Sequence, residues 1–332
     1  MERFVFVTAI VVATIFAIGA LFGGHREGWG FHFNVDGDED GFGTAELVQL
    51  APAEVAAQSY QASAIRLRHV AARVVVTPED RTDVSVQISN PGRAPTPTVS
   101  LEEGRLTIDG RLRGRIGDCQ EDGVDLRGYD YVANDEMPLI TIRAPQDLDL
   151  GITGAGTAEI GATQSLDLGI NGCVHASAGD VATQATLDLN GSGRIALAGS
   201  AQANMDLNGS GDIRVETVRA GADAEVNGSG NVTIVSLTGP LNIDNRGSGS
   251  LGVEGGAVTQ ADIELFGSGQ VSIQAPMERL NVSIFGSGDV DAPVAVGELE
   301  AEIFGSGDVR VQSVRGSVRQ ESRGSGSVRV GQ

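Results

Sequence analysis

Aromatic residues are scarce in this sequence. They make up 4% of the 332 residues, with a single Trp, whereas Gly occurs 47 times. So few rings and so much glycine are untypical of an ordinary packed globule, and 41% hydrophobic residues are too many for a disordered chain. Aliphatic strands joined by many tight turns fit both numbers.

Basic residues and histidine are also few. The chain has 23 basic residues against 44 acidic ones, a formal net charge of −21. Nucleic-acid binding depends on basic side chains that neutralise phosphates, so this balance excludes nucleic acid as a partner. The four histidines (His25, His32, His69 and His175) lie far apart without metal-ligand spacing. No Ser-His-Asp or Cys-His arrangement is indicated, and we expect no enzyme activity.

The N-terminus contains the one segment suited to a membrane. Residues 4–22 form a run of 19 positions without a charge, which as a helix reaches close to 30 Å and spans a bilayer core. The run is longer than the apolar stretch of most signal peptides, and no clear cleavage motif follows it. We therefore predict a transmembrane anchor within residues 1–24, with a cleaved signal as the alternative. Either exports the rest of the chain to the periplasm or cell surface.

Two regions separate this segment from the C-terminal half. Residues 25–60 are rich in Gly and Asp and predict a flexible tether, with a possible short helix over residues 45–60. Residues 61–147 contain short alternating runs such as Leu106-Thr-Ile108, bounded by Pro, Gly, Asn and Asp, which indicate a β region that caps the C-terminal half. A polar loop over residues 114–138 interrupts it, and we expect that loop on the surface or against the first coils of that half.

From residue 148 to 332 the sequence repeats itself. Ten Gly-x-Gly or degenerate corners, from Gly154 to Gly324, follow one another at intervals of 18–20 residues. That period indicates a solenoid rather than a propeller, whose blades take about 40–50 residues. We predict an all-β fold, a parallel β-helix of about ten coils of roughly 19 residues each.

Within each repeat, alternation indicates which residues face inward. Two strands flank each corner, and glycine is required there for a positive φ or for close approach of neighbouring coils. Stacking the coils aligns one aliphatic residue per coil into an inward ladder: Ile195, Ile213, Val232, Leu251, Val271, Val290, Val309 and Val328. No coil buries this face alone, so stability must come from its neighbours.

The residue before each corner changes along the stack, from Asn through Arg to three successive Phe residues, Phe266, Phe285 and Phe304. If the alternation continues into the corner, these rings form an outward apolar stripe that needs a partner or drives self-association. If the corner turns them, they belong to the core. Alternation is least informative at turns, and both alternatives stay open.

A second outward ladder is acidic, comprising Asp188, Asp206, Glu225, Asp244, Glu264, Glu302 and Glu321. Its carboxylates would lie about 4.8 Å apart, the spacing of neighbouring strands. A solvated face is the first interpretation, and calcium between the carboxylates is a second. Asp188 and Asp206 could also imitate the carboxylate pair of a glycosidase. We expect no other cofactor.

The two cysteines, Cys119 and Cys173, permit one disulfide in an exported protein. Cys173 takes the place of Ser at the second corner, which indicates that it points outward, and Cys119 belongs to the polar loop. A bridge would attach the loop to the early coils. Two free thiols or an intermolecular bond are the alternatives.

The Gly-Ser-Gly-Asp-Val units, the strands over residues 65–108 and the export segment together resemble the head GIN domain family of putative auto-transporter adhesins, over residues 63–330. The resemblance implies a bacterial cell-envelope protein with a right-handed β-solenoid and brings no catalytic residues. The chain departs from the pattern at Gly172-Cys-Val-His175.

We therefore expect a non-enzymatic scaffold or adhesin-like binding protein of the cell envelope, attached to the membrane through its N-terminal segment. Its partner would be a protein or glycan of the envelope, bound by the outward ladders. The alternative is a β-helix that binds or cleaves carbohydrate with its acidic face.

Overall fold

Strands account for almost all regular structure in residues 50–331, which are the residues that the computed structural model describes. The exception is a 3-10 turn at Asn134–Glu136. No helix in this range is long and apolar enough to cross a membrane. The predicted membrane or signal segment, residues 1–24, and most of the tether lie outside the described residues.

The first nine strands are β1 (Ala53–Tyr60), β2 (Ala64–Glu79), β3 (Val84–Asn90), β4 (Thr98–Glu102), β5 (Arg105–Asp109), β6 (Ile116–Gln120), β7 (Gly123–Leu126), β8 (Asp130–Ala133) and β9 (Leu139–Pro145).

The remaining strands wind into a β-solenoid of about ten turns, which confirms the predicted fold class. They are β10 (Asp147–Ile160), β11 (Ser165–Gly191), β12 (Arg194–Gly209), β13 (Asp212–Val218), β14 (Ala222–Gly228), β15 (Asn231–Asn245), β16 (Ser250–Val253), β17 (Gly256–Leu265), β18 (Gln270–Ile273), β19 (Met277–Ile284), β20 (Asp289–Ile303), β21 (Val309–Val314), β22 (Val318–Ser322) and β23 (Val328–Val330). Each pairs in parallel with strands of the coils before and after it, as far as the chain is described.

The inward ladder lies where the alternation predicts it. Ile195 is the register partner of Ile213, which in turn pairs with Val232. The series continues in register to Val309 and Val328. Every member is buried except Val328, which is partly buried. One continuous aliphatic core therefore runs through the stack, and each coil covers the apolar face of its neighbour.

Close approach between coils explains the corner glycines. A Cβ on Gly228 would collide with the carbonyl oxygen of Gly209 one coil earlier. The same collision recurs at the second glycine, where Gly230 lies against the carbonyl of Gly211. Gly209 also has a φ of +141°, a conformation that L side chains rarely adopt. The sequence repeats glycine because every coil repeats this contact.

The N-terminal β region joins the stack without a break. Strand β2 pairs in parallel with β10 on one side and with β5 and β9 on the other. Strand β3 pairs antiparallel with β9, and β1 pairs antiparallel with β3. The structure differs from the expected short helix over residues 45–60, because Ala53–Tyr60 is strand β1. The β3 partner, remote in sequence, supplies backbone hydrogen bonds that outweigh the helix propensity of this alanine-rich segment.

The polar loop over residues 114–138 also contains regular structure. Strands β6, β7 and β8 form a separate antiparallel sheet, which we call the flap (residues 116–133). Its buried side chains, among them Val124 and Val132, form a small second core with Ala71 and Ala155 of the first coils. As expected, the segment packs against these coils, but short strands rather than loop conformation provide the packing surface.

A disulfide joins the flap to the solenoid. Cys119 of β6 is bonded to Cys173 of β11, with their Cα atoms 6.4 Å apart. This is the first of the alternatives left open by the sequence. It also explains the departure at the second corner, where a cysteine stands instead of serine because the flap covers that corner.

Candidate functional site

Two outward columns run along the strand that precedes each corner. The acidic column consists of Asp188, Asp206, Glu225, Asp244, Glu264, Glu302 and Glu321, in register through successive coils, with Ser283 between Glu264 and Glu302. The corner column lies two residues later and consists of Asn190, Asn208, Asn227, Arg246, Phe266, Phe285, Phe304 and Arg323. The structure thus brings together all the candidate surface residues that the sequence indicated.

The three phenylalanines of the corner column face outward. Phe266 and Phe285 are 44% and 45% exposed, which decides between the outward stripe and the core. The ring centroids of Phe266 and Phe285 are 4.9 Å apart with planes inclined by 8°. Those of Phe285 and Phe304 are 5.2 Å apart with planes inclined by 2°. The rings form a parallel stack along the solenoid, which we call the Phe ridge (Phe266, Phe285 and Phe304).

An arginine closes each end of the Phe ridge. The guanidinium carbon of Arg246 lies 6.0 Å from the centroid of Phe266, and that of Arg323 lies 5.5 Å from the centroid of Phe304. Both distances fit cation–π contacts. All ring faces are therefore occupied by another ring or by a guanidinium, and the ring edges form the solvent-exposed surface.

Carboxylates hold these arginines in place. Nη1 of Arg246 lies 2.6 Å from Oε1 of Glu225, and its Nη2 pairs with Asp244. At the other end, Nη2 of Arg323 lies 2.6 Å from Oε1 of Glu321. The acidic column thus supplies the counter-ions that orient both ends of the Phe ridge. Sequence analysis assigned no role to these two arginines. Their corner positions directly before and after the three Phe residues were the feature that could have indicated a contact with the rings.

The N-terminal part of the acidic column lines a shallow groove. The groove has a volume of about 650 Å³ and includes Asp188, Asp206, Glu225 and Asp244. Burial, followed by repulsion from Asp206, raises the pKa of Asp188 above its ordinary value. Burial and the charge of Glu225 also raise the pKa of Asp206, although the Asn208 amide, which donates to Asp206 over 2.7 Å, counteracts this shift. The groove therefore holds carboxylates that are less acidic than usual.

The groove does not have the geometry of a metal site. Within residues 50–331, no group of three His, Cys, Asp or Glu side chains is arranged to hold a metal ion. The carboxylates project in a line from parallel strands, whereas calcium requires six to eight oxygen ligands around one point. The acidic column is thus a row of separate charges, several of them paired with arginine.

Comparison with known proteins gives one family and several solved structures. The model of the family described as "Putative auto-transporter adhesin, head GIN domain" matches residues 69–257 and 237–331. No curated protein matches the sequence. A crystal structure described as a putative adhesin from Parabacteroides merdae is 16% identical, with a TM-score of 0.34, and the match covers 86% of this chain and 97% of that one. A putative adhesin from Parabacteroides distasonis is 13% identical, with a TM-score of 0.34 and coverage of 83% and 96%. A putative lipid binding protein from the same species is 17% identical, with a TM-score of 0.39 and coverage of 85% and 97%.

Proposed function

The chain belongs to the head GIN domain family of putative auto-transporter adhesins, and we propose that it is a non-enzymatic, adhesin-like binding protein of the bacterial cell envelope. Its binding surface is the outer face of the solenoid that carries the Phe ridge. The partner is a protein or glycan of the envelope.

The exposure of the Phe ridge is the observation that carries this proposal. The largest contiguous apolar patch on the surface of a soluble monomer is often an interaction site. The three stacked rings form one contiguous apolar row on successive coils, in which Phe266 and Phe285 are close to half exposed and Phe304 is partly buried. Their backbone is fixed by the parallel ladder beneath them, so little conformational entropy is lost when a partner binds.

A binding role also fits the shape of the surface better than catalysis does. Catalytic sites are concave and surround much of the substrate, whereas the groove beside Asp188 is shallow and lies on regular strands. The Phe ridge is an exposed row of stacked rings and not a cavity that encloses a ligand. We therefore assign recognition, and not bond cleavage, to this face.

Export and attachment are part of the proposal and rest on residues 4–22. As an uncleaved helix this segment would hold the solenoid at the outer side of the cytoplasmic membrane. The test is fractionation of cells that express the full chain, followed by intact-mass measurement. The expected result is a membrane-bound chain of full mass that external protease degrades after outer-membrane permeabilisation. A full-length chain in the cytosol would contradict export, and a soluble chain that lacks its N-terminus would support the cleaved signal.

The binding role is tested with beads that carry the detergent-solubilised full chain. Beads with the wild-type chain are expected to retain bacterial envelope fragments, and beads with Phe285→Ser to retain much less. Leu101→Ser is the matched control, because Leu101 is also an exposed apolar side chain, 41% accessible, on strand β4 in the N-terminal region. Equal retention by wild type and Phe285→Ser would contradict a role for the Phe ridge.

The raised pKa values of Asp188 and Asp206 favour a second candidate, carbohydrate binding or cleavage in the acidic groove. These residues are register partners on adjacent coils, and neighbouring strands lie about 4.8 Å apart, close to the carboxyl separation of about 5–5.5 Å in retaining glycosidases. The double variant Asp188→Asn with Asp206→Asn, assayed for binding and cleavage on anionic and neutral glycans, separates the two functions. If the substitutions change neither the binding nor the cleavage of any glycan, this candidate is eliminated.

A further inference from the structure

The Phe ridge has a geometry that restricts its partner. A sugar ring packs flat against the face of an aromatic ring, but here each face is already covered. Phe285 lies between two other rings, and Arg246 and Arg323 cover the outer faces of the stack. The exposed surface is a narrow row of ring edges. Such a row suits apolar side chains that interdigitate with it rather than a planar ligand.

Charge further restricts the partner. Residues 147–332 contain 23 acidic side chains and ten arginines. On one side of the Phe ridge the acidic column contributes Glu264 and Glu302. On the other side, Asp289 and Asp308 follow the corners of Phe285 and Phe304, but Arg310 and Arg329 already pair with them, so among the described residues only the first side carries unpaired acidic charge. A second copy of this acidic chain or an anionic membrane would place negative charge against Glu264 and Glu302. A cationic partner would neutralise these two carboxylates.

The spacing of the rings matches one element of secondary structure. The three centroids are separated by 4.9 and 5.2 Å, so the ridge is about 10 Å long. On an α-helix, residues i, i+3 or i+4, and i+7 form a row with an average spacing of about 5 Å and a length of about 10.5 Å. Alternate residues of a strand are about 6.7 Å apart, so a strand with one side chain beside the first ring would no longer be aligned with the second.

We propose that the Phe ridge binds an amphipathic helix of a partner protein, whose apolar row at i, i+3 or i+4, and i+7 is flanked by Lys or Arg on the side that faces Glu264 and Glu302. The apolar row packs between the ring edges, and the basic side chains pair with Glu264 and Glu302 of the acidic column. This inference rests on the proposed function and specifies its partner class.

The test uses synthetic helices of about 18 residues, or five turns, with the full chain in detergent. The first peptide carries a Leu row flanked by Lys. The second has the same composition in scrambled order, and the third has Glu in place of Lys. Binding is measured by fluorescence anisotropy at low and high salt. We expect the first peptide to bind at least about tenfold more tightly than either control, with weaker binding at high salt.

Substitutions locate the peptide on the surface. Phe285→Ser is expected to weaken binding of the first peptide by about tenfold or more, as for a central interface anchor, and Leu101→Ser to leave it unchanged. Glu264→Gln combined with Glu302→Gln should weaken binding and reduce its salt dependence, because it removes charge and leaves the rings in place. If the melting temperature shows that Phe285→Ser is misfolded, this double variant carries the test.

Four results would overturn the inference: equal affinity for the ordered and scrambled peptides, indifference to both sets of substitutions, self-association in sedimentation that Phe285→Ser abolishes, or binding to phosphatidylglycerol vesicles through the ridge. The third identifies a second copy as the occupant, and the fourth a lipid surface. If the peptides fail while beads carrying Phe285→Ser still lose envelope fragments, the helix is wrong and the adhesin-like function stands. If the peptides do not bind and Phe285→Ser beads retain as many envelope fragments as wild-type beads, the proposed binding function of the Phe ridge is wrong as well.

Discussion

Gly247 lies against the carbonyl oxygen of Gly228 in the preceding coil, so closely that a Cβ on Gly247 would collide with it. Backbone atoms cannot move aside as the end of a flexible side chain can, so Gly247→Ala forces the two coils apart. We expect a loss of about 1–3 kcal/mol in the free energy of unfolding, measured as a lower melting temperature by circular dichroism.

Gly252 provides the matched control in the next wall of the same coil. A Cβ there meets no atom within 4 Å, and the residue has no positive φ. Gly252→Ala is expected to be neutral or to stabilise by about 0.4–1 kcal/mol, because alanine reduces the entropy of the unfolded chain. Equal destabilisation by both substitutions would show that close approach at the corner is not the reason for its glycines.

Loss of the disulfide is expected to affect the flap first. Cys119 and Cys173 are separated by 54 residues, and disulfides of this kind contribute about 2–4 kcal/mol. Because the flap packs on the coils through a small core that is separate from the main core of the solenoid, Cys173→Ser should open residues 116–133 while the coils stay folded. Limited proteolysis with mass spectrometry is expected to show early cleavage in the flap. Equal loss of protection in the coil strands would contradict the separate packing of the two cores.

The acidic column predicts a specific dependence on pH. The folded-state pKa of Asp188 is raised by burial and by Asp206, so its ionised form destabilises the fold at neutral pH. Asp188→Asn removes this penalty, and since a like-charge cross-strand contact costs about 0.2–1 kcal/mol, the melting temperature at pH 7 should rise by about 1–3 °C. The gain should shrink as the pH falls through the raised pKa, where wild-type Asp188 becomes neutral.

Asp308 should respond in the opposite way. A hydrogen bond from the Ser327 hydroxyl, 2.8 Å from Oδ1, lowers the pKa of Asp308, as do the nearby guanidinium groups of Arg329 and Arg310. Its ionised form stabilises the fold above the unfolded-state pKa, and this contribution is lost as the pH falls through the lowered pKa. Asp308→Asn should therefore lower the melting temperature at pH 7 and converge with wild type in acid. If Asp188→Asn and Asp308→Asn shift the melting temperature at pH 7 in the same direction, these assignments are contradicted.

Arg246 is expected to contribute more than an ordinary surface arginine. It pairs with Glu225 and Asp244 and covers the face of Phe266. Arg246→Gln leaves these carboxylates adjacent without a cation, whereas Arg194→Gln removes a single exposed pair with Asp212 at 3.6 Å. Exposed pairs contribute about 0.2–1 kcal/mol, so Arg194→Gln should change the melting temperature little. A similar change in melting temperature for both variants would show that the contacts of Arg246 contribute no more to stability than a single exposed ion pair.

The solenoid could be predicted from the sequence because its geometry is periodic. The hydrogen-bond ladder fixes the distance between coils, so the spacing of Gly209, Gly228 and Gly247 and the alternation around Ile213 specify both the corner and the inward face. The orientation of Phe285 could not be predicted in this way, because alternation is interrupted where the chain turns. Its exposure is determined by neighbouring coils, whose backbones bring the three rings into one stack.

The flap and strand β1 lie beyond this kind of prediction. Tyr131 and Asp122 give the flap a polar sequence, and its strands show no apolar pattern because it contributes only Val124, Leu126 and Val132 as buried apolar side chains to the small second core. Strand β1 pairs with β3, with Ala53 opposite Asn90. A partner so far along the chain leaves no local pattern in residues 53–60. In both cases tertiary pairing, and not local periodicity, determines the structure.

The most direct test of the Phe ridge as the binding surface is hydroxyl-radical footprinting of the full chain with and without envelope fragments. Oxidation of Phe266, Phe285 and Phe304 is expected to fall when the fragments are added, while oxidation of Leu101 stays constant. Unchanged oxidation of the three phenylalanines, with protection confined to the strands that carry Asp188 and Asp206, would contradict the account and favour the acidic groove.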